Sequence, residues 1–281
     1  MKKEVNDKDL ARIDAAWQKL EPLLDETPKQ GFKLKPFMIR ALASAAVVVL
    51  ISAVTLLIFK GKTEEVQFMT KYGQTLQVVL PDSSTVFLNG NSKLSYINNW
   101  DNDTDREVKI DGEAYFSVKH TKNHQKFFVR MSNNLSIEVL GTEFNVTKRN
   151  NATRVVLNSG KIDFHMNDIA TGNDVVQMKP GDLIDYQDKS QSYVKQKVDP
   201  TNYSSWKNNR IIFNKTKIID VLQNLQDTYG LKVKVQDDKM LDMLVSGSAP
   251  TNNIPSLVDA LSETFNVNFT LKGDSIILRN K

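Results

Sequence analysis

The chain has 281 residues, with 37 Lys/Arg against 33 Asp/Glu, three histidines and no cysteine. The missing thiols exclude cysteine catalysis, thiolate metal sites and a disulfide scaffold. The net charge of +4 is spread along the chain, so no stretch carries the basic cluster that phosphate neutralisation needs.

Residues 6–24 predict one amphipathic helix, capped by Asn6 or Asp7. Leu10, Ile13, Trp17, Leu20 and Leu24 recur at steps of three and four and share one stripe. Pro22 is expected to end the first piece near Leu20 and to start a second turn. A head of about 40 residues is too short for a core of its own, so the stripe rests on a membrane or docks onto a partner. Its polar face mixes Asp14 and Glu21 with Arg12 and Lys19, which favours a protein partner. Residues 27–36, with Pro28, Gly31 and Pro36, read as a flexible tether.

Residues 41–59 form one uncharged apolar run between Arg40 and Lys60. As a helix its 19 residues reach about 28 Å, close to the hydrocarbon thickness of a bilayer. A buried core helix would show a polar face, and a cleaved signal peptide would start near the N-terminus and end in small residues. A membrane span is therefore expected. Lys29, Lys33, Lys35 and Arg40 before it, against Lys60, Lys62 and Lys71 after it, lean towards a cytoplasmic head.

From Val66 to about Val198, short alternating runs meet turn residues every eight to twelve positions, the pattern of an all-β domain. The pattern changes near Trp206. Ile211 to Phe213 reads as a strand, Lys217 to Tyr229 as a helix stopped by Gly230, and Leu231, Val233 and Val235 as a strand. The arrangement then repeats: Leu244-Val245, a helix from Pro255 to Phe265, and a strand through Val267, Phe269 and Leu271. Gly273-Asp274 turns the chain into a last strand, Ile276 to Arg279. This predicts an α+β domain with a doubled β-α-β repeat.

Catalytic equipment is sparse. His120 and His124 would share one side of a helix, but Thr121-Lys122-Asn123 between them reads as an exposed loop, so no metal site is expected. Neither a Gly-x-Ser-x-Gly elbow nor a phosphate-binding glycine loop occurs, and no enzyme activity or cofactor is expected.

Five blocks of the body, in order, resemble the hallmarks of the FecR family. They are residues 80–89 (Leu-Pro-Asp-Ser-Ser-Thr-Val-Phe-Leu-Asn) with 92–96, residues 106–116 (Arg-Glu-Val-Lys-Ile-Asp-Gly-Glu-Ala-Tyr-Phe), 127–130, 139–146 and 179–182. The C-terminal part is similar to the small signalling domain of secretins and TonB-dependent receptors. The resemblance implies a single-span inner-membrane anti-sigma factor. Residues 1–40 would be a cytoplasmic sigma-binding segment, 41–59 a transmembrane helix and 60–70 a linker. Residues 71–199 would be a periplasmic FecR β-domain of stacked short strands, solenoid-like or sandwich-like, and 205–281 a periplasmic signalling domain. The partners implied are an extracytoplasmic-function sigma factor and the N-terminal signalling domain of a TonB-dependent outer-membrane transducer. The head is shorter than the family's usual cytoplasmic region, and residues 15–20 resemble only its end.

Leu10, Ile13, Trp17 and Leu20 are the candidate sigma-binding residues. An edge strand can add a partner's strand, which makes the strand with Ile276, Ile277 and Leu278, or else the repeat strands, candidates for receptor binding. The alternative is a membrane-anchored module for glycans or envelope polymer, in which Tyr96 and Trp100 would form a sugar platform.

Overall fold

The computed structural model describes residues 7–24, 37, 49–52, 65–101, 104–132, 134–168 and 172–279. Contacts divide the chain into two units, Met1–Lys62 and Thr63–Lys281.

In the first unit, α1 (Asp7–Leu24) continues through Pro22 instead of breaking at Leu20. Proline removes the N–H that would bond the Gln18 carbonyl, and the helix runs only two residues beyond it. Leu10 lies in this helix. Ile13, Trp17 and Leu20 are 49%, 60% and 48% exposed, so the apolar stripe has no cover in this unit among the described residues. The expected span at 41–59 falls outside the described residues except for 49–52, which are helical and exposed. Among the described residues no helix is long and apolar enough to cross a membrane.

The second unit begins with thirteen strands: β1 (Glu65–Met69), β2 (Leu76–Val79), β3 (Thr85–Leu88), β4 (Lys93–Ile97), β5 (Arg106–Ser117), β6 (Phe127–Arg130), β7 (Leu135–Val139), β8 (Glu143–Arg149), β9 (Ala152–Ser159), β10 (Ile162–Asp168), β11 (Gly172–Met178), β12 (Asp182–Gln187) and β13 (Ser192–Lys197). They form one sheet folded about β5. The first half of β5 pairs with β4 and β6, and its second half, from Gly112, with β3 and β8. Two arms leave it, β6-β7-β10-β11 and β8-β9-β12-β13. Lys195 in β13 donates to the Gln177 carbonyl in β11, so the far ends of the arms meet. The result is a curled half-barrel filled by Phe116, Phe127, Phe144 and Phe164, all fully buried. Every described pairing among these thirteen strands is antiparallel except β5–β6, so a solenoid's stack of parallel coils does not form.

Gly112 is where β5 passes from one arm to the other. Its φ is +100°, and a Cβ there would lie 2.5 Å from Ser92 Oγ. Only glycine fits both demands. The linker expected at 60–70 is shorter than that range: residues 65–69 are β1, paired to β4, with Val66 and Phe68 packed against the core.

Arg106 ties several turns together. It is 1% exposed and ion-pairs with Asp82. It also donates to the carbonyls of Lys119, Gln125 and Leu140, and its guanidinium stacks on Phe127. One side chain thus pins the turn after β2, both ends of the β5–β6 loop and the start of Leu140-Gly141-Thr142. Removing one partner of such a buried pair costs about 3–5 kcal/mol.

The chain then makes a short helix α2 (Thr201–Ser204), a 3-10 turn (Ser205–Asn208), β14 (Arg210–Lys217), α3 (Ile218–Tyr229), β15 (Lys232–Val235), β16 (Leu244–Pro250), α4 (Ile254–Phe265), β17 (Asn268–Lys272) and β18 (Ser275–Arg279). This is the expected doubled β-α-β pattern. Gly230 in the left-handed conformation stops α3, and the Asn253 side chain caps α4. The module has its own core around Leu222, Leu225, Leu257, Leu261 and Ile276. β14 pairs with β16, while β18 lies between β15 and β17. The expectation that Ile276 to Leu278 form an edge strand is therefore corrected. Both sides of β18 are already paired, and the free edges belong to β15 and β17.

The Pro180-Gly181-Asp182 turn is held by charge. Burial pushes the Asp182 carboxyl up, but bonds from Lys197, the Lys179 backbone N–H and Lys195 outweigh it and bring it down to about 2. A depressed carboxylate stabilises the fold above its unfolded value, near pH 4, and loses that contribution as pH falls through about 2. Chemical unfolding from pH 6 to pH 2 is expected to show Asp182→Asn less stable than the parent by up to about 2 kcal/mol at pH 6, with the gap closing at pH 2. A gap independent of pH would contradict this account of the turn.

Candidate functional site

Residues 112–116 of β5 are buried on both faces, which means that a second layer covers the outside of the sheet. That layer is the C-terminal module, and the contact between the two combines a polar network with ring contacts of Tyr72, Tyr115 and Trp206. At its centre lies the Glu113 carboxylate, 7% exposed. Asn89 Nδ2 donates to one oxygen at 2.8 Å and Asn145 Nδ2 to the other at 2.9 Å. The Asn145 carbonyl oxygen in turn accepts from Trp206 Nε1 at 3.2 Å. A buried charge is tolerated only when its oxygens are bonded, and here each has a donor. Beside this chain the Lys207 ammonium lies 3.6 Å from the centre of the Tyr115 ring.

A second contact caps the C-terminal end of α3. The last carbonyls of a helix lack partners and carry its partial negative charge. Here the half-barrel supplies the donors. Arg149 and Asn91 donate to the Asp227 carbonyl, and the Gly73 N–H reaches the Thr228 carbonyl at 2.8 Å. Asn150 bonds both Asp227 carboxylate oxygens, at 3.0 and 2.9 Å. The approach is close: a Cβ at Gly90 would lie 2.4 Å from the Thr228 carbonyl oxygen.

A cleft of about 460 Å³ lies beside these contacts, walled by Glu113, Arg154, Tyr203, Trp206, Ile212 and Asp220 among others. Burial raises the phenol of Tyr203. Burial also pushes Tyr229 up to about 12, with the negative charge of Glu113 adding to the effect. Both phenols are therefore neutral donors at ordinary pH. Arg154 is paired with Asp185 at 2.6 Å. Among the described residues no group of three His, Asp or Glu is arranged to hold a metal.

The other sequence-derived candidates fall elsewhere. Ile276 and Leu278 are fully buried in the module core, while Ile277 points to the opposite face. His120 and His124 sit in the β5–β6 loop, not on a helix, with Nε2 and Nδ1 2.7 Å apart. The sugar platform does not form: Tyr96 is 8% exposed, and Trp100 packs edge-on against Phe127 and tilts 40° from Tyr96. Glu113 and Asn145 were legible only as turn and strand residues. Their signal was a carboxylate opening the otherwise apolar run Ala114-Tyr115-Phe116.

Glu113→Gln replaces one acceptor by an amide nitrogen facing an asparagine donor. The expected loss is about 1–3 kcal/mol of stability. Trp206 emission is expected to shift to the red, read in a background where Trp17 and Trp100 are phenylalanine. Unchanged stability and emission would remove Glu113 from the centre of the joint.

Comparison with known proteins gives two family matches. The model for FecR protein matches residues 67–163, and that for FecR, C-terminal, matches residues 210–278. Together they span more than half the chain. Two crystal structures of a candidate anti-sigma factor from Parabacteroides distasonis ATCC 8503, at 1.65 and 2.50 Å resolution, share the fold. The first is 22% identical with a TM-score of 0.65, covering 77% of this chain and 99% of that one. The second is 22% identical with a TM-score of 0.64, covering 78% and 100%. No curated protein matches the chain at a significant level. The half-barrel carries the match to the first model and the doubled β-α-β module the match to the second: the chain belongs to the FecR family.

Proposed function

We propose that this chain is a transmembrane regulator that holds a sigma factor on one side of the inner membrane and reads a receptor on the other. The head binds an extracytoplasmic-function sigma factor in the cytoplasm through Leu10, Ile13, Trp17 and Leu20. Residues 41–59 cross the membrane once. The half-barrel and the C-terminal module stand in the periplasm and receive the N-terminal signalling domain of a TonB-dependent outer-membrane transducer. The observation that carries the reading is the uncovered stripe of α1, with Trp17 60% exposed. An aromatic left open on a short amphipathic helix is the form of a helix that docks into a partner's groove. The polar joint supports the other half. It couples the two periplasmic modules through hydrogen bonds instead of one shared core, so a partner bound to one module bears on the other.

The test uses the full chain in detergent and the extracytoplasmic-function sigma factors of the same genome, each purified and titrated. One of them is expected to bind, and Trp17→Ala with Leu20→Ala is expected to weaken it at least ~30-fold, the scale of an interface hot spot. No binding by any of them, or binding indifferent to both changes, would contradict the cytoplasmic half of the proposal.

A further inference from the structure

The cleft of about 460 Å³ beside the joint draws its walls from three separate parts of the chain. The half-barrel supplies Arg154 and Gln196, the segment between the modules Tyr203 and Trp206, and the C-terminal module Asp220 and Asn224. Its volume lies within the range of small-molecule sites, about 300–1,000 Å³.

Elsewhere in this fold, as at Glu113 and Arg106, buried polar side chains bond one another or the backbone. In the cleft they do not. The Tyr203 hydroxyl and the side chains of Gln196, Asn202 and Asn214 form no hydrogen bond among the described residues. In Asn224 the Oδ1 is shielded from solvent and still has no partner. A buried carbonyl left unbonded is costly. Nothing holds this amide, so it is free to turn and offer either its oxygen or its nitrogen to the cleft. One wall is strained as well. β14 shifts register against β16 between Phe213 and Thr216, and Lys215 in that bulge takes a left-handed φ of +49°. Such bulges re-aim side chains and gather beside binding sites.

Charge narrows the ligand class. Arg154 is paired with Asp185 at 2.6 Å and Lys217 with Asp242 at 2.8 Å, and Glu113 has a donor on each oxygen. Lys215 and Asp220 remain, one of each sign. Walls so balanced hold no strong field for an anion or a cation. The groups left free are amides and a phenol, which both donate and accept, beside the rings of Tyr203 and Trp206. They match hydroxyls, and the rings match an apolar C–H face. A sugar ring carries both.

We propose that this cleft binds a neutral saccharide of one or two rings, held by Gln196, Tyr203 and Asn224 and bridging the half-barrel and the C-terminal module. The inference goes beyond the proposed function, since it requires neither a sigma factor nor a receptor.

The test titrates the full chain calorimetrically, in a detergent without a sugar headgroup, with glucose, N-acetylglucosamine, maltose and cellobiose. Citrate and inorganic phosphate serve as charged probes. The variants are Tyr203→Phe, Asn224→Leu and a control outside the cleft, Tyr193→Phe with Asn99→Leu. Thermal melts verify that each variant folds. At least one of the four sugars is expected to bind saturably, and to shift Trp206 emission in a background where Trp17 and Trp100 are phenylalanine. Each cleft variant is expected to weaken that binding about 5-fold, the loss of one hydrogen bond, and the control to leave it unchanged. Binding that ignores both cleft variants would overturn the site, and absence of saturable binding by all four sugars would overturn the proposal. Saturation by citrate or phosphate alone would mark an anion site and overturn the ligand class.

Discussion

The Glu113 carboxylate is the constraint on which the arrangement of the second unit depends. It lies on the outer face of the one strand shared by both arms of the half-barrel. It accepts from Asn89, in the turn after β3, and from Asn145 in β8, and Asn145 passes the contact on to Trp206. Taking a carboxylate out of water is costly unless every oxygen is bonded, so its two donors, and Trp206 behind one of them, must keep their positions together. The half-barrel and the C-terminal module each have an apolar core, and neither core reaches the other. Their relative placement is set by this polar chain and by the cap on α3.

That division of labour suits a relay. Apolar packing is insensitive to direction, while hydrogen bonds hold only within narrow distances and angles. A joint built from bonds to Glu113 and to the last carbonyls of α3 fixes one geometry and releases it over a short displacement.

Much of the fold was legible because its signals are local. Alternating apolar residues gave the strands, and Gly230 and Pro255 bounded the helices of the doubled module. The features that were missed depend on what pairs with what. Glu113 gave no functional signal because nothing in the sequence says that Trp206 returns to cover it. The last strand and the repeat strands were both open as edges, and the sheet order leaves the edges to the repeat strands, because chain order does not give sheet order. Pro22 suggests a break, and the helix ends two residues beyond it instead of at Leu20. The Asp82–Arg106 pair was hidden for the same reason as Glu113, as its members stand 24 residues apart.

The central claim is that one chain carries a sigma-binding helix and a receptor-reading body on opposite sides of the inner membrane. Topology reporters test it most directly, with a cytoplasm-active enzyme and a periplasm-active enzyme each fused in turn ahead of the first residue and after the last. The account predicts that the N-terminal fusion is active only with the cytoplasmic reporter and the C-terminal fusion only with the periplasmic one. Both ends reporting the same compartment would contradict it.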